Sequence, residues 1–116
     1  MRLHNLFEDD AGVSHFRDIE VAWKEIRQAN KFSAREPASG ITFRETTRDY
    51  TVDWHPAPRR RYVINLDSEV RITAGDGETR LIGPGEILLV EDITGKGHIS
   101  KFVGGARRRS IFVALD

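Results

Sequence analysis

The feature that most constrains this chain is its punctuation. From Gly40 onward, short apolar runs are separated by breaks rich in glycine and proline: HPAP at residues 55–58, GDG at 75–77, GPGE at 83–86 and TGKG at 94–97. Between the breaks, apolar residues alternate with polar ones. Val70, Ile72 and Ala74 interleave with Arg71 and Thr73, and Tyr50, Val52 and Trp54 interleave with Thr51 and Asp53. A period of two marks strands with one buried face, whereas a helix repeats at about 3.6 residues. Asp76-Gly77 fits a hairpin turn that needs positive φ. ILLV at residues 87–90 does not alternate, which suits a strand covered on both faces. Two prolines keep residues 55–58 out of a central strand. No strand–helix–strand alternation is visible, so a sandwich or barrel of antiparallel strands is the economical architecture.

The N-terminal third is less regular. Residues 1–12 read as a polar lead-in ending in a turn. Two templates compete for SHFRDIEVAWKEI at residues 14–26. Ala22, Ile26 and Ala29 fit one face of a helix, while Ile19, Val21 and Trp23 alternate as in a strand. A strand over residues 16–23 is expected, then a connection over residues 24–40 holding at most a helical turn. In ITFRETT, Ile41 and Phe43 are expected inside. The total is eight or nine short strands in one domain spanning residues 1–116. Sheet edges need covering, so a homodimer is expected, with residues 14–24 exchanged or packed at its interface.

Composition removes several functions. With 39% hydrophobic and 31% charged residues, the chain is too apolar for disorder. The absence of cysteine excludes disulfides, thiolate metal sites and cysteine nucleophiles. Eighteen basic and eighteen acidic side chains give zero net charge, which argues against a general nucleic-acid binder. The N-terminus has no apolar signal segment, and no apolar run reaches membrane-span length. A cytoplasmic protein with no membrane partner is expected.

Three motifs in order carry a resemblance: SHFRD at residues 14–18, WHPAPRR at 54–60 and GPGEILLVEDITGKGH at 83–98. Together with residues 62–105 they resemble the cupins, and within them small single-domain bacterial cupins of uncharacterised function. The resemblance implies a jelly-roll β-barrel. It also implies a divalent metal held by an HxH pair, a glutamate and a later histidine. Here only His55 remains of the pair, the glutamate position falls on or beside Arg61, and His98 stands for the later histidine. Two histidines are fewer than the three protein ligands zinc or iron normally requires, and an arginine repels a cation. No cofactor is therefore expected. If a metal bound, His55 and His98 would hold it.

His98 and His55 are the candidate acid–base residues, because imidazole titrates near neutrality; a structural role bonded to a loop carbonyl is the alternative. Arg59 and Arg61 share a face if extended and would clamp a carboxylate or phosphate. The alternative is one inward arginine paired with a buried acid. Tyr50 and Trp54 are candidate pocket walls. Lys96 would reach a ligand's anionic end, and Asp92 would shape the approach to His98. Arg107 to Arg109 read as a solvated turn. Three functions stay open: a small-molecule binder, for an organic anion and with or without turnover; a metal-dependent enzyme using His55, His98 and a carboxylate such as Glu91 or Asp92; and a non-enzymatic sensor or assembly subunit.

Overall fold

The computed structural model describes residues 1–102 and 107–115. The described residues form twelve strands and no helix: β1 (Arg2–Glu8), β2 (Ser14–Glu20), β3 (Trp23–Arg27), β4 (Asn30–Ser33), β5 (Gly40–Thr46), β6 (Tyr50–His55), β7 (Arg61–Asn65), β8 (Val70–Thr73), β9 (Thr79–Ile82), β10 (Ile87–Val90), β11 (His98–Phe102) and β12 (Arg108–Ala114). Among them no helix is long and apolar enough to cross a membrane. The turn expected at Gly104-Gly105 lies outside the described residues. Six strands form one sheet in the order β2-β1-β10-β7-β12-β5, and four form a second in the order β6-β11-β8-β9. One core joins them: Leu6, Phe16, Leu88 and Val90 from the larger sheet pack with Val70, Ile72, Ile82 and Phe102 from the smaller.

The all-β expectation agrees with this, but the closed, antiparallel barrel does not form. Both sheets are open, and β1 runs parallel to β10, with His4 opposite Leu88 and Leu6 opposite Val90. Closure needs edge strands that run alongside each other with a consistent stagger. Strands of the smaller sheet are only four to six residues long. At the β2 and β9 edges the sheets meet only at points. Gly75 N donates to Ser14 Oγ (2.7 Å), Asp76 N donates to Ser14 O (3.1 Å), and Arg80 reaches Asp18 (2.6 Å). At the other end, β5 and β6 follow one another in the chain without pairing.

Three further expectations are corrected. Residues 1–12 contain β1, whose Leu3, His4, Asn5 and Leu6 are all buried. Their polarity misled because the buried amide of Asn5 is satisfied by residues from other strands and loops. Asn5 Nδ2 donates to Leu89 O and Glu91 Oε1, and Arg17 Nε donates to Asn5 Oδ1. The strand expected at 16–23 stops at Glu20, and the supposed connection is a hairpin, β3–β4, turning at Gln28 with φ 55°. Ile41 and Phe43 face outward, 59% and 74% exposed. On edge strand β5 the parity follows the register: Arg44 lies opposite buried Ser110, so Thr42, Arg44 and Thr46 take the inner face.

A charged clamp fixes the turns beside β2. His15 Nε2 lies 2.7 Å from Asp9 Oδ2, and Nδ1 lies 2.9 Å from Asp76 Oδ2. These two carboxylates raise the His15 pKa above 6.5, and the histidine in turn helps hold both below 3.8. The histidine's contribution to stability is fully present below pH 6.5 and is lost as pH rises through its raised folded-state value. The contribution of the aspartates is present above pH 3.8 and is lost as pH falls through their lowered values. Melting temperature should therefore fall as pH rises above 6.5, and His15→Gln should flatten that slope. An equal slope in the variant, in thermal melts across that interval, would contradict the clamp.

Candidate functional site

A bulge aims His55. Between β11 and β6, His98 pairs with His55 and Ser100 with Val52. Ile99 alone therefore faces both Asp53 and Trp54, and the extra residue reverses the alternation. Val52 and His55 both line the space between the sheets. Trp54 does not line it; Lys96 Nζ stands 4.3 Å from its ring instead.

Glycine holds His98 in place. Gly97 has φ +84°, and a Cβ there would lie 1.9 Å from His55 O. A Cβ on Gly95 would lie 2.0 Å from Gly12 O, and Glu8 accepts hydrogen bonds from Thr94 N, Thr94 Oγ1 and Gly95 N. TGKG is thus a close-packed segment between the β1–β2 turn and His55. His98 opens β11 and is buried, its Nδ1 lying 2.6 Å from Oδ2 of fully buried Asp92. His55 Nδ1 donates to Asp53 O (2.8 Å). The rings are 4.8 Å apart at their centroids. With each Nδ1 engaged, each Nε2 is the nitrogen left for chemistry.

The arginine triplet is divided three ways. Arg59 is exposed, since β7 begins only at Arg61 and the expected alternation does not extend back to it. Arg60 pairs with Glu91 (2.9 Å). Arg61 points inward, its guanidinium 4.1 Å from the Phe112 ring centroid and its Nε buried without a hydrogen-bond partner. Arg44 stacks on the same ring at 4.5 Å, and Arg108 on Phe102 at 3.9 Å. Arg108 corrects the reading of residues 107–109 as a solvated turn: it is buried in β12, with Nε and Nη2 unpartnered. Among the described residues, the arginines with acid partners are Arg2, Arg27, Arg60, Arg80, Arg107 and Arg109. The enclosed Arg44, Arg61 and Arg108 have none. Burial lowers all three pKa values. Arg59 adds repulsion at Arg61, which Asp92 opposes, while burial and Arg44 take Arg108 down to about 10. All three remain charged at neutral pH.

Arg44 and Arg61, though not Arg108, line a cavity of about 80 Å³ together with the two histidines. On β7, Arg61 stands at the end of His55 and His98 and Asn65 at the other, and Arg44, whose guanidinium shares the Phe112 ring with that of Arg61, lies between them with aliphatic side chains such as Val63, Ile72 and Leu88. Of the other expected site residues, Asp92 lies behind His98, and Tyr50 stacks on Phe102 at 4.5 Å, partly exposed. Sequence reasoning missed Arg44, Arg108 and Asn65. The signal for the two arginines was the opposite parity in ITFRETT and RRSIFVAL, where both parities carry bulky residues.

A divalent metal does not fit this donor set. Among the described residues no group of three or more histidines, cysteines or carboxylates could hold one. Asp92 is committed to His98 Nδ1, and Arg61 brings positive charge to the same end. Two imidazoles fall short of the three protein ligands such sites use.

No family model and no curated protein matches the chain. Solved structures do. A cupin superfamily protein from Desulfitobacterium hafniense is 19% identical with a TM-score of 0.51, covering 82% of this chain and 98% of its own. A conserved protein of unknown function from Streptococcus pyogenes is 14% identical with a TM-score of 0.50, covering 84% and 96%. The polyketide cyclase RemF from Streptomyces resistomycificus is 22% identical with a TM-score of 0.50, covering 70% and 69%. At these identities the likeness is one of fold, and the fold is cupin-like.

Gly97→Ala tests the glycine anchor. Positive φ and the backbone clash each carry about 1–3 kcal/mol, so urea unfolding should show a loss of about 2–6 kcal/mol. A change within about 0.5 kcal/mol, the range of a neutral surface substitution, would show that the close approach is not required.

Proposed function

We propose that the chain binds a small organic anion between its sheets, with His98 and His55 exchanging protons with it. One observation carries this reading: the two guanidinium groups that line this space, Arg44 and Arg61, have no carboxylate partner among the described residues. A buried cation without a counter-charge is costly, and an anion supplied by a ligand offsets that cost. Arg61 would receive the carboxylate through charge-assisted hydrogen bonds. Asp92 and Asp53 O fix the imidazoles so that each Nε2 serves the ligand. Whether turnover follows depends on the ligand. A sensor would use the same binding step without chemistry.

Arg61→Met separates a ligand counter-ion from a protein one. Without ligand, the variant should unfold within about 1 kcal/mol of the parent or be more stable, because an unpaired charge has been removed. The rise in melting temperature given by butanoate should shrink, reflecting affinity lower by about tenfold or more. A loss of about 3–5 kcal/mol with butanoate binding intact would mean that a protein acid had been stranded instead.

We further propose that the macromolecular partner is a second copy of the chain. Every residue of β3 and β4 is exposed, including Trp23, Ile26 and Phe32, and the two strands pair only with each other. An isolated hairpin has little stability of its own. The return of this arm is tied to the outer face of the larger sheet, where Tyr62 Oη donates to Glu36 Oε2 (2.5 Å). Burial and Glu36 push the Tyr62 hydroxyl up to about 12. Between arm and sheet runs an apolar groove lined by Ile19, Trp23, Ile64, Ile87 and Val113. A six-stranded face of strands about 4.8 Å apart and roughly 17 Å long offers about 500 Å². Adding the arm approaches the roughly 800 Å² per partner of a stable dimer. Arm and groove belong to one chain, so a twofold axis would satisfy both at once. Sedimentation at tens of micromolar (about 100 times a sub-micromolar Kd) should show a dimer, and Ile26→Asp with Phe32→Asp should give a monomer. A monomeric parent, or a dimeric variant, would contradict the interface.

A further inference from the structure

We infer that the ligand carries a hydrogen-bond donor, a hydroxyl or an amide, at the end away from its anionic group. This inference rests on the anion reading above. Its observation is separate: the side chain of Asn65.

Asn65 is 1% exposed and lines the cavity at the end remote from the histidines. Its Nδ2 donates to Ser68 O (2.9 Å), Ile82 O (2.9 Å) and Gly83 O (3.2 Å). Three carbonyls around one terminal atom require that atom to be nitrogen, so the amide orientation is fixed. Oδ1 must then point the other way, and it is buried without a hydrogen-bond partner. Buried acceptors are rarely left unmet.

The neighbours of Oδ1 define what meets it. Ser110 is the β12 partner of Asn65, and its Oγ accepts from Arg44 Nε (3.2 Å), which brings Arg44 within reach of this end while its guanidinium stacks on Phe112. An alkyl terminus would leave Oδ1 and Arg44 both unmet. A second carboxylate would meet Arg44 but set acceptor against acceptor at Oδ1. A hydroxyl or carboxamide serves both, because its oxygen accepts from Arg44 while its proton goes to Oδ1. The aliphatic wall between the two ends suits a short methylene chain, and about 80 Å³ admits only a small one. The class is therefore a short carboxylic acid with a hydroxyl or amide at its far end.

The test uses the unaltered protein and calorimetric titration with butanoate, pentanoate and hexanoate, each beside its ω-hydroxy and ω-carboxylate counterpart. At one chain length or more, the hydroxy acid should bind at least about tenfold tighter than the unsubstituted acid, the size of one well-formed buried hydrogen bond. It should also bind tighter than the dicarboxylate. If the unsubstituted acids bind and the hydroxyl adds nothing at any length, the distal donor is overturned while the anion reading stands. A dicarboxylate that binds best overturns it in favour of a second anionic group. If no acid in the series binds, the anion reading fails and this inference fails with it.

Discussion

Positive charge enclosed without an acid partner is the constraint on which the rest of this structure turns. The two ends of the sandwich treat cations differently. Near the β2 and β9 edges, Arg2 and Arg80 meet Asp18, Glu78 and Glu86 within 4 Å. Near β5, Arg44, Arg61 and Arg108 meet aromatic faces instead. A ring face returns only about 0.5–2 kcal/mol per cation, well short of the several kcal/mol of desolvation each charge incurs. Asp92 is an acid whose charge acts on Arg61, but its Oδ2 is held by His98 and its Oδ1 has no partner. Among the described residues, the interior is thus set to receive negative charge near β5 and not near the acid-paired arginines of the β2 and β9 edges.

The backbone devices around this space serve its geometry. Open sheets leave the β5–β6 end free of a ladder, and that is where the arginines gather. The bulge on β6 turns one histidine inward, and Gly97 lets the next strand start close enough to bring the second beside it. Both depend on single residues, so small changes in the loop over residues 91–97 would move an imidazole nitrogen by an appreciable part of a hydrogen-bond length.

Much of the fold was legible because alternation and turn chemistry are local. Strands β8, β9 and β10 follow from VRIT, TRLI and ILLV with their glycine turns. What was not legible depended on partners distant in sequence. Asn5 looks like loop polarity until Leu89, Glu91 and Arg17 surround it. Phe43 and Arg44 compete for the inner face of β5, and only the register with β12 decides for the arginine. The hairpin β3–β4 has no interior of its own to impose a pattern on its sequence. His55 and Trp54 exchange roles through a bulge that leaves no mark in composition. Sheet closure is a property of two edges, and no single segment encodes it.

A crystal structure of the protein grown with butanoate tests the central claim most directly. The account predicts a carboxylate between the sheets, within hydrogen-bond distance of the Arg61 guanidinium and of an Nε2 of His98 or His55, with Asp92 still on His98 Nδ1. Finding Asp92 turned away from His98 to pair with Arg61, and no anion between the sheets, would contradict it.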